Sequence, residues 1–153
     1  FSRKQAVPLE ALDLVALVRD QLANHMDSGL MRGIELQFVA EPAMPPVLGN
    51  PALFDQVLLN LLKNAHESGS PADAVELAVR DLPNALRIEV LDRGPGMNDD
   101  VLSQALLPFY STKRGGTGLG LALTREIVEA HSGHIALANR EAGGLQVTIT
   151  LPQ

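Results

Sequence analysis

Residues 75–92 read Val-Glu-Leu-Ala-Val-Arg-Asp-Leu-Pro-Asn-Ala-Leu-Arg-Ile-Glu-Val-Leu-Asp. Val75 to Arg80 and Leu86 to Leu91 each alternate inward and outward residues, the period of a half-buried strand. Leu82-Pro83-Asn84 joins them, and so short a Pro-Asn connection predicts an antiparallel hairpin. Ile135 to Ala138 and Leu145 to Leu151 repeat the pattern around Gly143-Gly144, a second hairpin that closes the chain. Consecutive hairpins mean a sheet that is largely antiparallel.

Working outward, helical spacing takes over. Leu53, Phe54, Val57, Leu58, Leu61, Leu62 and Ala65 make one apolar stripe of a helix that starts near Asn50, has Pro51 in its first turn, and stops before Ser68. Leu14, Val15, Leu17, Val18, Leu22 and Met26 make another, with Asp13 as its N-cap and an end near Gly29 or Gly33. Leu121, Leu123, Ile127 and Val128 point inward from a third, about Leu119 to His131, ended by Gly133. Ile34 to Val39 alternates as a strand, Glu41 to Pro46 is a Pro-rich loop, and Asp92 to Gly120 is irregular and glycine-rich. Residues 1–12 read as a linker running into a short strand, and residues 13–153 as one domain. The expected fold is α+β: a two-layer sandwich with a mixed, mostly antiparallel sheet and three main helices on one face.

Composition narrows the function. Of 153 residues, 46% are hydrophobic but only 3% aromatic, with no Trp, so the core is aliphatic. A net charge of −6 opposes nucleic-acid binding and calls for local positive features wherever an anion sits. No Cys is present, which excludes disulfides and thiolate chemistry. No apolar run approaches the roughly 18 residues of a membrane span. Phe1 is not a natural start, so targeting or membrane segments are free to lie upstream.

Three stretches carry chemistry. In Asn60-Leu61-Leu62-Lys63-Asn64, positions i and i+4 share a helix face, so two carboxamides project together from an apolar helix. A carboxamide oxygen suits Mg²⁺, which keeps waters and substrate phosphates as its other ligands; a pair of solvated asparagines would read the same. Asp92-Arg93-Gly94-Pro95-Gly96-Met97 follows a strand directly. An Asp there accepts a hydrogen bond from an exocyclic amine, and glycines let backbone approach a flat ring, although an ordinary turn also fits. Gly115-Gly116-Thr117-Gly118-Leu119-Gly120-Leu121 runs into a helix, and its backbone N–H groups and helix N-terminus make a phosphate cradle. It has neither the Gly-Lys-Ser/Thr ending of a Walker loop nor the dinucleotide glycine spacing. Between the last two lies Pro108-Phe109-Tyr110-Ser111-Thr112-Lys113-Arg114, aromatic anchors beside cations, the mix a lid over a triphosphate needs.

In this order Asn60-x-x-x-Asn64, Asp92-x-Gly94-x-Gly96, Pro108-Phe109 and Gly116-x-Gly118-Leu119-Gly120-Leu121 resemble the four boxes of sensor histidine kinase catalytic domains, within the gyrase, Hsp90, histidine kinase and MutL superfamily. The likeness covers about Leu48 to Pro152, and Ser111-Thr112-Lys113 before the glycine stretch is most similar to nitrogen-regulation-type kinases. The resemblance implies a Bergerat-type fold with a glycine-rich ATP lid, and ATP and Mg²⁺ as cofactors. It implies Asn64 as metal ligand, Asn60 on the phosphates or metal shell, and Asp92 on the adenine amine. Gly94, Gly96 and Met97 would shape the adenine slot. Thr112 and Lys113 would serve the lid, Lys113 reaching the outer phosphates as a catalytic group. Gly116, Thr117, Gly118, Leu119, Gly120 and Leu121 would cap the phosphates, and Thr148 would lie near the adenine on the closing strand.

Dedicated ATPases of that superfamily carry a Glu base one turn before the metal-binding Asn; here the place holds Asn60. A neutral carboxamide cannot act as a base near neutral pH, so hydrolysis should be slow and Asn60 and Lys113 should serve phosphoryl transfer. By the resemblance, the acceptor is a His on a dimerisation helix hairpin, and residues 1–12 lead from it. His25, His66, His131 and His134 lack an acceptor pattern and read as structural or surface residues. The expected partners are that phosphoacceptor domain and, indirectly, a response-regulator receiver. A monomeric isolated domain, a homodimeric full protein and a cytoplasmic location are expected. A serine kinase, a slow ATPase of the same superfamily and a non-catalytic docking module are the alternatives.

Overall fold

The computed structural model describes residues 8–27, 37–40, 46–67, 75–107 and 120–152. In chain order they form β1 (Glu10–Leu12), α1 (Leu14–Asp27), β2 (Gln37–Ala40), β3 (Val47–Gly49), α2 (Pro51–Glu67), β4 (Glu76–Leu82), β5 (Ala85–Leu91), α3 (Asp99–Gln104), α4 (Gly120–Ala130), β6 (His134–Asn139) and β7 (Leu145–Pro152). Five strands make one sheet in the order β2-β4-β5-β7-β6, and β1 pairs with β3 apart from it. Only β2 with β4 is parallel; the other pairs of that sheet are antiparallel. The mixed, mostly antiparallel sheet is as expected.

The ends of the helices follow from their capping residues. Asp13 Oδ1 accepts from Ala16 N at 3.2 Å to open α1, and Asn50 Oδ1 accepts from Leu53 N at 3.1 Å to open α2. Pro51 then loses nothing by lacking an N–H. In the hairpin between β4 and β5, Pro83 cannot take a positive φ, so Asn84 does, at 63°.

The alternation in the strands decides which face meets the helices. Leu77 and Val79 on β4, Leu86, Ile88 and Val90 on β5, and Val147, Ile149 and Leu151 on β7 share one core with Leu58, Leu61 and Leu62 of α2 and Ile127 and Val128 of α4. Leu62, Leu77, Val79, Leu86, Ile149 and Leu151 are fully shielded from solvent. Each such side chain stabilises by roughly 1.5–3 kcal/mol relative to exposure. α2 is the central helix, packed against α1, α4 and β5. The opposite sheet face is polar, with Arg80 Nε bonded to Glu89 Oε1 at 2.6 Å. Among the described residues no helix is long and apolar enough to cross a membrane.

Three local readings change. β3 was not anticipated, since a three-residue strand leaves little alternation to read. The stretch after Asp92 is not wholly irregular: Asn98 Oδ1 accepts from Val101 N at 2.9 Å and starts α3, whose first turn carries Asp99 and Asp100. Both features were present in the sequence as a cap and a favourable charge at a helix N-terminus. Finally, α4 stops at Ala130, three residues short of Gly133. Ser132 takes φ 60°, with Gly133 N bonded to Val128 O and Ser132 N to Glu129 O, the paired bonds of a Schellman motif. Gly133 is required one step later, where a Cβ would come within 2.7 Å of Thr150 O.

Candidate nucleotide site

Asp92 is the first residue past β5 and is only 3% exposed, although it is a carboxylate. Its environment explains this. Oδ1 accepts from Gly94 N at 2.9 Å and from Leu145 N at 3.1 Å, and its backbone N donates to Leu145 O. A buried carboxylate needs such donors. Both bonds from the described residues fall on Oδ1, and none among those residues falls on Oδ2. Arg140 Nη1 donates to Asp92 O at 2.8 Å, and Arg93 Nη1 to Gly143 O at 3.0 Å.

The loop after Asp92 is held from across the β6–β7 hairpin. Asn139 accepts from Met97 N through Oδ1 at 2.8 Å and donates through Nδ2 to Met97 O at 2.5 Å. One amide thus satisfies both backbone groups of one residue. Gly96 has φ 73°, and a Cβ there would lie 2.5 Å from Asn139 Oδ1. Gly144 has φ 103°, and a Cβ there would meet Asp92 O at 2.0 Å. Asn139, Arg140 and Gly144 were not singled out in the sequence. They act through contacts made more than forty residues from Asp92 and Met97, which no local pattern encodes.

The second part of the site is on α2 and α4. Asn60 and Asn64 lie one turn apart on α2, both partly exposed, while Leu61 and Leu62 are buried. This is the division of faces that the spacing predicts. Gln56 Nε2 donates to Asn60 Oδ1 at 3.1 Å, and Asn60 Nδ2 donates to Gly120 O at 3.3 Å. Thr124 Oγ1 donates to the same carbonyl at 2.9 Å. Gly120 opens α4, and Leu121 is partly buried against the core. Asn60 therefore ties the central helix to the N-terminal end of α4. Among the described residues no group of three or more His, Cys, Asp or Glu could hold a metal ion. The donor set that remains, a partly exposed carboxamide at Asn64, fits a Mg²⁺ whose other ligands are phosphates and water.

Of the candidate residues, the structure describes Asn60, Asn64, Asp92, Gly94, Gly96, Met97, Gly120 and Leu121. Thr112, Lys113, Gly116, Thr117, Gly118 and Leu119 lie outside the described residues. Thr148 is corrected. It stands opposite Glu89 and Ala136, and its Oγ1 accepts from Gln146 Nε2, which also bonds Glu89. That is the polar sheet face, whereas Asp92 continues the parity of Ile88 and Val90 on the helix face.

The histidines divide by burial. His131 is buried; its Nδ1 donates to Ile127 O at 2.7 Å and its Nε2 accepts from Asn50 N at 3.0 Å. Its ring lies 4.7 Å from that of Phe54. His25 is buried between α1 and α2, 2.8 Å from Asp55 Oδ1. His134 is exposed on β6, and the side chain of His66 lies outside the described residues.

Comparison with known proteins gives the family. Residues 49–153 match the family of histidine kinase-, DNA gyrase B- and HSP90-like ATPases. The chain is 36% identical to the C4-dicarboxylate transport sensor protein DctS of Rhodobacter capsulatus, over 99% of this chain and 24% of that protein. It is 35% identical to the sensor histidine kinase ZraS of Escherichia coli, over 94% of this chain and 31% of that protein. The chain thus spans about a quarter to a third of the length of these relatives. The catalytic domain of histidine kinase ThkA superposes with a TM-score of 0.82 at 26% identity, covering 95% of this chain and 96% of that one. The chain belongs to the family of histidine kinase-, DNA gyrase B- and HSP90-like ATPases.

Proposed function

We propose that this chain binds Mg²⁺-ATP and donates the γ-phosphoryl group to a histidine on a separate dimerisation helix hairpin of a two-component sensor kinase. The observation that carries the reading is Asn60. It occupies the α2 position one turn before Asn64, and its carboxamide is hydrogen-bonded on both sides, to Gln56 and to Gly120. A group so engaged, and neutral besides, cannot take a proton from water. The pocket therefore holds ATP without an efficient route to hydrolysis, and the phosphoryl group is kept for another acceptor. Phosphoryl transfer of this kind relies on positioning and charge stabilisation.

In this reading Asp92 accepts from the adenine amine through Oδ2, beside Gly94, Gly96 and Met97. Asn64 supplies a carboxamide oxygen to Mg²⁺, whose bound charge would offset that of the phosphates. The N–H groups at the start of α4 face the phosphates, with Gly116, Thr117, Gly118, Leu119 and Gly120 capping them. Thr112 and Lys113 complete the phosphate end, Lys113 reaching the outer phosphates. Residues ahead of β1 lead from the helix hairpin, and a response-regulator receiver is the eventual destination of the phosphoryl group. The domain works at the cytoplasmic side, monomeric by itself and dimeric in the full kinase.

The test uses γ-labelled ATP with Mg²⁺. This chain alone binds the label but acquires no stable phosphohistidine. The helix hairpin of the same kinase, supplied separately, becomes labelled on its histidine with acid-labile linkage. Rapid phosphate release from the chain alone would favour an ATPase, and acid-stable label on a partner serine would favour a serine kinase.

A further inference from the structure

The amide chain on α2 contains one unambiguous member. Gly120 O is a carbonyl and can only accept, so the Asn60 group that faces it at 3.3 Å is the amino group. Asn60 Oδ1 then faces the other way, and Gln56 presents Nε2 to it at 3.1 Å. The polarity of the whole row follows from a backbone atom. A carboxamide nitrogen has two N–H donors, and Gly120 takes one. The second is left for a ligand at the end of the site where the reading above puts the phosphates.

We infer that Gln56 is a positioning residue: by donating to Asn60 Oδ1 it reinforces the orientation that Gly120 O sets and holds the donor side of Asn60 toward α4, which assigns Asn60 to a phosphate oxygen and leaves the metal to Asn64. Without Gln56 only the 3.3 Å bond to Gly120 O would hold that orientation, and the carboxamide of Asn60 could rotate by half a turn. Its oxygen would then face Gly120 O, two acceptors in contact, and the first turn of α4 would lose this side-chain tie to α2. Thr124 Oγ1 also donates to Gly120 O, at 2.9 Å, but from within α4. Gln56 touches no ligand in this scheme and acts only through Asn60. The inference rests on the nucleotide-binding reading above.

The deciding variant is Gln56→Glu, which keeps shape and reverses the hydrogen-bonding character of the group facing Asn60. A carboxylate draws the Asn60 amino group to itself and away from Gly120 O. Because the added negative charge also repels phosphates, the first readout is taken without nucleotide. Backbone amide exchange in the first turn of α4, at Thr124 in particular, is expected to quicken several-fold in Gln56→Glu and less in Gln56→Ala. Binding is then measured calorimetrically. Mg²⁺-ATP affinity falls about tenfold in Gln56→Glu and a few-fold in Gln56→Ala, while adenosine, which engages only the Asp92 end, binds as before. Unchanged exchange in Gln56→Glu overturns the inference, as does equal weakening of adenosine and Mg²⁺-ATP, which marks a general loss of structure. Failure of the unsubstituted chain to bind Mg²⁺-ATP would instead sink the functional reading, with the exchange result still judging the Gln56 row.

Discussion

In the proposed reading, the adenine end and the phosphate end of the site are built on different principles. At the adenine end the recognising carboxylate is buried, and its fixed oxygen takes two backbone N–H donors. Asn139, Arg140 and the left-handed Gly144 hold the loop from the neighbouring hairpin. At the phosphate end the positioning groups are partly exposed side-chain amides, joined by single bonds of 3.1 and 3.3 Å to one carbonyl. Backbone held in a sheet ladder moves little, whereas side-chain bonds open to water exchange partners readily. In that reading, a base-binding end built on a buried carboxylate beside a phosphate end built on partly exposed amides would suit a protein that holds ATP and then surrenders only its last phosphoryl group.

Substitutions at the two ends should therefore differ in kind. The largest effect is expected at Gly144→Ala, where a Cβ would collide with Asp92 O in a backbone conformation side chains avoid. Stability should fall by about 3 kcal/mol, read by denaturant melting, and binding of both adenosine and ATP should be lost. Asp92→Asn comes next. Its oxygen can still accept from Gly94 and Leu145, so the melting temperature should change little. Loss of one charged acceptor for the adenine amine should cost about 1.5–3 kcal/mol of nucleotide affinity. Retained adenosine affinity would contradict the role given to Asp92.

Asn139→Ala removes two bonds to Met97 from an exposed position, so about 1–2 kcal/mol of stability should go, with adenosine and ATP weakened alike. An effect on ATP alone would erase the distinction between the two ends. The smallest effect on the site is expected from Arg80→Ala on the polar sheet face. Its partner Glu89 is 10% exposed and would keep Gln146 as a donor, so about 1–3 kcal/mol of stability should go. Nucleotide affinity should not respond, which makes this variant the control for effects carried through the sheet.

Much of this architecture was legible before any coordinates. The two hairpins, the capped starts of α1 and α2 and the apolar stripe of α2 follow from period and capping chemistry. So did the separation of Asn60 and Asn64 from Leu61 and Leu62. The misreadings have physical causes. β3 is too short to show a period. Thr148 was assigned by resemblance, and its face depends on register, which a shift of one residue reverses. Ser132 takes the left-handed position after α4, where two backbone bonds compensate for its strain, a position that helical spacing alone does not mark.

The sequence by itself determined the types of chemistry: a carboxylate after a strand, paired carboxamides on a helix and glycines before a helix. Those depend on residue identity and on spacings within one or two turns. Tertiary structure alone decided how these groups are oriented. Asp92 owes its committed oxygen to Leu145, Met97 owes its place to Asn139, and Asn60 owes its polarity to the carbonyl of Gly120, sixty residues away. Hydrogen bonds are directional and their partners come from distant segments, so only the folded chain fixes which atom of each side chain faces the ligand.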